Sequence, residues 1–411
     1  MARIAFAWEL GGEMGHASAC ISLARTLLLR GHQVALMFGS LDPLEHFDAA
    51  GCEVFQAVHG MQGGLSAKPA SYAEVLLGCG YDDAARLQPL AETWKGLFEQ
   101  WRPDVVVADF APTAHLAARA LGIRRVSFGN GFLVPPRLRP MPSFRFNEAV
   151  PREALDNFDA RATATINEVL RGWGRAPLDS LAQLLDADDE FLCTLPELDH
   201  YSNRPRSGYW GPRFNASSGV RAAWPVGARK RILAYVKPQH PGLGALLAAF
   251  AASGLAVVAF VPGLAPETHG SRAGAMHLLS TKPIRLEPLL PECDLVVSHG
   301  GEMAGGTLLH GIPQLVLPIQ FEQYITARRV AQAGVGHMLA YQAGANDVAR
   351  AMHEVLGNPR YAHAARTLAR RYASFSPKEQ RRRMAVRIEE IAALGPAAPI
   401  LAPNPSEGRA A

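Results

Sequence analysis

Between Leu289 and Gln323 the chain reads LLPECDLVVSHGGEMAGGTLLHGIPQLVLPIQFEQ. The run Asp294–Ser298 predicts a buried strand, and His299-Gly300-Gly301 stands at its end. A second glycine pair, Gly305-Gly306, is expected to open a helix at Thr307, which Gly311-Ile312-Pro313 would end. Glycines between a strand and a helix let backbone N–H groups approach a phosphate, and the helix N-terminus adds its positive dipole. A histidine at the strand end could donate a hydrogen bond to the same phosphate. A lone glycine-rich turn is common in any doubly wound unit, so the length of the ordered set carries the weight.

This segment resembles the donor-sugar motif of family 1 glycosyltransferases with the GT-B fold, which include bacterial enzymes that decorate antibiotics and lipids. The family pattern runs L-L-P, D-x-V-V-x-H-G-G, a Gly/Ser/Thr loop, G-V-P, then P-x-x-x-[DE]-Q. Here stand Leu289-Leu290-Pro291, Asp294, Val296-Val297, His299-Gly300-Gly301, Gly311-Ile312-Pro313, Pro318 and Glu322-Gln323. The resemblance implies a nucleotide-sugar donor. It puts His299 on the diphosphate, with Gly300, Gly301 and the amides of Gly305, Gly306 and Thr307 cradling it. Glu322 and Gln323 would hold sugar hydroxyls, and the main chain of Ile284 would touch the base. The family's ribose-binding glutamate falls near Gly306 or Thr307, and neither is acidic. Glu302 either takes that place or is a solvated loop glutamate, so UDP and dTDP both stay open. Where the family has a Gly/Ser turn, this chain has Tyr235-Val236-Lys237-Pro238. Lys237 there either neutralises phosphate or is a solvated surface lysine.

The N-terminal half carries a second match. Gly15-His16, followed by a helix and Arg30-Gly31-His32-Gln33-Val34, resembles the family stretch whose histidine is the general base. An imidazole near neutral pH suits removal of a hydroxyl proton. The bland alternative is a histidine at a helix N-terminus. Asp109, at the end of PDVVVAD, resembles the family aspartate that orients that histidine. A carboxylate on one ring nitrogen fixes the tautomer and stabilises the imidazolium. Alternatively, Asp109 caps the next helix.

These residues need strands and helices to position them. Arg3–Trp8 and Val34–Phe38 are apolar strands flanking a turn at Leu10–Gly15 and a helix at Ala17–Arg30. Asp104–Ala108, the helix Thr113–Leu121 and Arg125–Phe128 repeat the pattern. A proline-rich loop follows, and 147–186 reads as helical. A second array has strands at Arg231–Val236, Leu255–Val261, Asp294–Ser298 and Gln314–Leu317. The fold class is therefore α/β, with two Rossmann-like domains of parallel strands. In such folds, ligands sit at the carboxyl ends of the strands. The GT-B resemblance implies that the two domains face each other across one cleft. The expected domains are 1–205 for the acceptor, a linker at 206–230, and 231–375 for the nucleotide sugar. A basic helix at 376–395, which the resemblance returns to the first domain, and a disordered tail at 396–411 complete the chain.

Composition bounds the rest. The chain has 411 residues, 48% of them hydrophobic and 19% charged, which suits a globular protein of two or three domains. A net charge of +4 is too mild to argue for nucleic acid. Five scattered cysteines without a CxxC pair fit a reducing cytoplasm. Glu9 interrupts the first apolar run, which argues against a secretory signal. The 26 uncharged residues 241–266 are broken by Ser253-Gly254, so they read as helix, turn and strand rather than a membrane span. The basic final helix is either a solvated face or a contact for an anionic membrane. No HExxH, EF-hand or Walker A pattern is present, and the family needs neither metal nor cofactor.

The expected activity is inverting, metal-independent transfer from a UDP- or dTDP-sugar to a hydroxyl of a small, natural-product or lipid acceptor. The rivals are a sugar-nucleotide epimerase of the same architecture and a non-catalytic nucleotide-sugar binding protein. An NAD enzyme using LGGEMG fares worse, because the turn is not GxGxxG and no acidic residue ends Val34–Phe38.

Overall fold

Two series of short parallel strands, each covered by helices on both faces, account for the architecture. The computed structural model describes all residues except 13, 59–67, 146–147, 202–203, 207, 226–229, 265–276, 281 and 399–411. Most of the tail expected to be disordered lies outside the described residues.

The first sheet uses β1 (Arg3–Trp8), β2 (Gln33–Phe38), β3 (Glu53–Gln56), β4 (Val105–Asp109), β5 (Arg124–Gly129) and β6 (Asp189–Leu192). Its helices are α1 (Met14–Leu28), α2 (Tyr72–Leu76), α3 (Ala84–Trp101), α4 (Pro112–Leu121) and α5 (Arg152–Gly172). The strand order is β3-β2-β1-β4-β5-β6, all parallel. The order therefore reverses between β1 and β4, whose register places Trp8 beside Asp109. In open α/β sheets this reversal opens a crevice at the strands' carboxyl ends.

The second sheet uses β7 (Arg231–Tyr235), β8 (Ala256–Phe260), β9 (His277–Ser280), β10 (Leu295–Ser298), β11 (Gln314–Val316) and β12 (Gly336–Met338). Its helices are α6 (Leu243–Ser253), α7 (Glu302–Leu309), α8 (Phe321–Gln332), α9 (Ala345–Gly357) and α10 (Pro359–Arg371). The order β12-β11-β10-β7-β8-β9 repeats the first topology, with the reversal between β7 and β10. The uncharged stretch from 241 is α6, a left-handed Gly254 and β8. Among the described residues no helix is long and apolar enough to cross a membrane.

The described chain divides into two compact units. The first is Met1–Cys193, Tyr201–Trp210 and Lys378–Ala411; the second is Thr194–His200 and Gly211–Pro377. The last helix, α11 (Pro377–Ala393), buries Met384, Ala385, Ile388 and Ile391 in one core with Ile4, Phe6 and Leu23. Arg387 pairs with Asp189 and Glu390, and Arg382 with Glu379. Within the stretch read as a linker, Pro212, Arg213 and Phe214 pack into the second unit instead. The stretch read as helical over 147–186 is α-helix over Arg152–Gly172 and a 3-10 turn over Leu181–Leu185, with Gly174 and Pro177 breaking the run between them.

Candidate active site

In the first unit, His16 lies in the first turn of α1, past the end of β1, and Asp109 is the last residue of β4. The turn expected over Leu10–Gly15 ends sooner, since α1 begins at Met14. Adjacency of β1 and β4 joins residues 93 apart in sequence: His16 Nδ1 bonds Asp109 Oδ1 at 2.8 Å. Asp109 is fully buried, so its charge is poorly screened and the pairing is strong. Its second oxygen faces Cys20 Sγ at 3.6 Å, one helical turn beyond His16. Trp8 stacks on the imidazole at 5.3 Å and fixes the ring plane. Gly11 completes the setting. Its φ of +83° lies in the left-handed region, and a Cβ there would sit 3.1 Å from His16 Nε2. Asp109 holds the Nδ1 proton, so Nε2 is the acceptor nitrogen, and it makes no hydrogen bond among the described residues. The side chain keeps 11% exposure, enough for that nitrogen to be reached.

Sequence reading missed Glu9, the residue after Trp8. It is 2% exposed and accepts from the Thr113 amide at 2.8 Å and the Thr113 hydroxyl at 2.5 Å. Burial pushes its carboxyl up to about 7 against the opposing pull of the Thr113 and Ala114 bonds. The sequence signal was a lone acid closing an apolar strand.

In the second unit, Lys237 follows β7 and His299 follows β10, at the corresponding reversal point. Here the geometry departs from expectation. His299 is 3% exposed, and its Nδ1–H donates to the Leu317 carbonyl at 2.8 Å. Its Nε2 accepts from the Lys237 amide at 2.6 Å. Both ring nitrogens are engaged inside the protein, so His299 as placed offers none to a diphosphate. Burial holds it neutral, with its pKa down to about 4. His299 instead ties the end of β7 to the end of β11.

The glycine pair is also reassigned. The helix opens at Glu302 with Gly301 as its N-cap, not at Thr307. Gly305, Gly306 and Thr307 lie inside α7, where their amides bond along the helix and cannot cradle a phosphate. The amides without an intrahelical acceptor are those of Gly301, Glu302 and Met303. Gly305 and Gly306 are small for packing. A Cβ on Gly305 would meet Pro212 at 2.7 Å, and one on Gly306 would meet Phe214 at 2.2 Å. Gly300 keeps the turn between β10 and α7.

Glu302 is not a solvated loop residue. Its Oε1 accepts from Arg213 Nε at 3.0 Å and Nη2 at 2.7 Å, and the Arg213 side chain is 3% exposed. Gln323 is 1% exposed, and its Oε1 accepts from the Ile319 amide at 3.0 Å. It braces the turn into α8 rather than standing open to a sugar. Glu322 is partly exposed and faces His200 Nε2 at 3.2 Å. Ile284 is buried and pairs with Val220 in a bridge that uses the Pro283 carbonyl and the Arg285 amide. That pairing leaves Ile284's own N–H and C=O on the opposite edge. Among the described residues no group of three His, Cys, Asp or Glu could hold a metal ion.

Residues 257–386 match the family model for the erythromycin biosynthesis protein CIII-like C-terminal domain. No curated protein matches the chain. Among solved structures, the spinosyn rhamnosyltransferase SpnG complexed with spinosyn aglycone is 21% identical with a TM-score of 0.65, covering 95% of this chain and 100% of that one. Glycosyltransferase VinC in complex with dTDP is 17% identical with a TM-score of 0.66, covering 96% and 100%. SsfS6 of Streptomyces sp. SF2575, complexed with thymidine diphosphate, is 19% identical with a TM-score of 0.65, covering 95% and 100%. The chain has the GT-B fold of these glycosyltransferases, and the family match over 257–386 covers the motif at Leu289–Gln323.

Proposed function

We propose that this chain is an inverting, metal-independent glycosyltransferase that moves a sugar from a dTDP-sugar to a hydroxyl of a small natural-product acceptor. The observation that carries the reading is the His16–Asp109 pair at the carboxyl edge of β1 and β4, with one imidazole nitrogen left over. A binding protein has no use for an oriented base. The CIII-like match over the donor half and neighbours solved with dTDP, thymidine diphosphate and an aglycone support the same assignment.

The chemistry follows from the groups present. His16 Nε2 takes the acceptor hydroxyl proton as the oxygen attacks the anomeric carbon. Asp109 holds the Nδ1–H and stabilises the imidazolium that forms. The bond from the anomeric carbon to the diphosphate oxygen breaks, and the diphosphate leaves with the electron pair. The amides of Gly301, Glu302 and Met303, at the positive end of α7, are the donors suited to that growing charge. Attack opposite the leaving group inverts the anomeric centre. The Arg213 guanidinium offsets the Glu302 carboxylate, which would otherwise repel an anion at this helix end.

A thermal-shift screen in EDTA-containing buffer tests the assignment. dTDP and dTDP-sugars should raise Tm, since ligand at 100 times Kd adds about 2.7 kcal/mol to stability. NAD(H) should not. A shift with NAD(H) and none with any nucleoside diphosphate would sink the reading.

A further inference from the structure

We propose that Glu9 is a positioning residue for the transfer reaction: it locks together the turns that lead from β1 to the helix bearing His16 and from Asp109 to α4. The inference rests on the transferase reading above and names a residue that reading does not use.

Helix α4 begins without a cap of its own. Its N-cap, Ala111, has no side chain that can cap, and Pro112 at the first position has no N–H. The next amides, Thr113 and Ala114, need an acceptor from elsewhere. Glu9 supplies it from 104 residues away, at the end of β1. Its carboxylate meets the Thr113 amide and hydroxyl, and also the Ala114 amide. The Thr113 hydroxyl, donating to Glu9, accepts in turn from the Tyr81 hydroxyl at 2.8 Å. The remaining ionisable groups that feel this carboxylate are Tyr72 and Cys79, and among the described residues no cation faces it. A charge in such a place persists only if its bonds are worth its burial.

Those bonds span the catalytic pair. Between Asp109 and α4 the chain passes through Phe110, whose φ of 47° is left-handed and strained for a bulky residue. The Phe110 carbonyl accepts from the Leu10 amide at 3.0 Å, next to Glu9. Glu9 and Leu10 therefore hold both sides of the turn that follows Asp109. The same two residues begin the connection from β1 to α1, whose first turn carries His16. If the lock opens, the Phe110 turn relaxes and the 2.8 Å bond between His16 and Asp109 loses its fixed geometry. Glu9 itself is too buried to touch substrate.

The test reads His16 directly and needs no acceptor. Histidine-labelled protein gives ring ¹⁵N–¹H spectra, with the His16 signals assigned by their loss in His16→Gln. Wild type should show a protected downfield Nδ1–H proton on His16. In Glu9→Gln, which keeps the shape and removes the charge, that proton should broaden and exchange with water faster. Unchanged His16 signals in folded Glu9→Gln would overturn the proposal, whatever its effect on Tm. If Glu9→Gln does not fold, Thr113→Val removes the hydroxyl bond alone and is read the same way. Loss of turnover in His16→Ala tests the transferase reading separately, so the two can fail independently.

Discussion

The two units share a topology and place two residues at each reversal point, yet they use them differently. In the first, β1 and β4 lead to His16 and Asp109, which bond through one imidazole nitrogen and leave the other unbonded. In the second, β7 and β10 lead to Lys237 and His299, and the imidazole is closed at both nitrogens. One histidine keeps an atom for chemistry. The other is a structural brace between strand ends. A histidine beside the reversal point of the same topology is therefore no guide to role: His16 follows the first strand of its sheet and His299 the fourth. What decides it is whether neighbouring backbone groups engage the second nitrogen.

The largest expected effect falls on the open pair. His16→Ala should lower kcat by about 10²–10⁴, the usual worth of general-base catalysis, with dTDP affinity unchanged. Asp109→Asn should lose activity with the fold intact, because an amide cannot hold the imidazolium. Steady-state kinetics with an aliphatic alcohol acceptor, alongside dTDP calorimetry, would decide it. Near-normal turnover in His16→Ala with collapsed dTDP binding would erase the contrast between the two histidines.

The next effect tests the reassigned glycines. At an open position inside a helix, Gly→Ala stabilises by roughly 0.5–1 kcal/mol. At Gly306 the added methyl would meet Phe214 at 2.2 Å, so the sign should reverse. Overpacking of this kind costs about 1–3 kcal/mol. Urea unfolding of Gly306→Ala should show the loss, and a Phe214→Ala background should restore the helix-typical gain. If Gly306→Ala is stable but cannot bind dTDP, the glycine is a phosphate contact after all.

This contrast also explains what was legible in the sequence. The central strands were readable because both faces are buried and the residues are apolar, as in Val105–Asp109 and Leu295–Ser298. The edge strands β3, β6, β9 and β12 went unread. They are short, and Glu53, Asp189 and Gly336 break any apolar pattern. His16 and Asp109 were read from their resemblance to family motifs, and the register of β1 on β4 brings their elements together. Gly305 and Gly306 were misread because a glycine admits either a ligand or a neighbour. Here the neighbours, Pro212 and Phe214, come from a stretch about 90 residues earlier that has no periodicity. Gln323 was misread for a similar reason, since nothing local reveals that its amide will meet Ile319.

Glu9 gives the first unit a pH signature opposite in sign to the one that the buried, neutral His299 gives the second. Its folded pKa is raised from 4.5 to about 7 by burial. A carboxyl with a raised pKa favours folding while protonated. That contribution is fully present below the unfolded value and is lost as pH rises through the folded one. Relative to Glu9→Gln, wild type should therefore lose stability between about pH 4.5 and 7 and stay level above that. Urea midpoints of both proteins across that range would measure the difference. A constant difference would mean that Glu9 is ionised throughout.

The smallest expected effect is a flat line, and it bears on the closed histidine. If His299 met the diphosphate as a cation, affinity for a dTDP-sugar would climb as pH falls through the ordinary histidine range, near 6.5. The sugar ester is the right probe, because free dTDP has a terminal phosphate that itself titrates near neutrality. Burial and the nearby Lys237 charge hold His299 down to about 4, outweighing the Leu317 carbonyl that favours its protonation. Over about pH 5.5 to 8 it therefore stays neutral, and calorimetry of wild type should show no inflection from it. His299→Ala should still weaken binding, because the Lys237 amide and the Leu317 carbonyl lose their shared partner and the ends of β7 and β11 come loose. One neutral hydrogen bond is worth about 0.5–1.5 kcal/mol, so the loss should be modest and the same at every pH in the range. A loss that grows toward acid pH would mean that the imidazole reaches the diphosphate as a cation, and the two histidines would then differ in substrate rather than in kind.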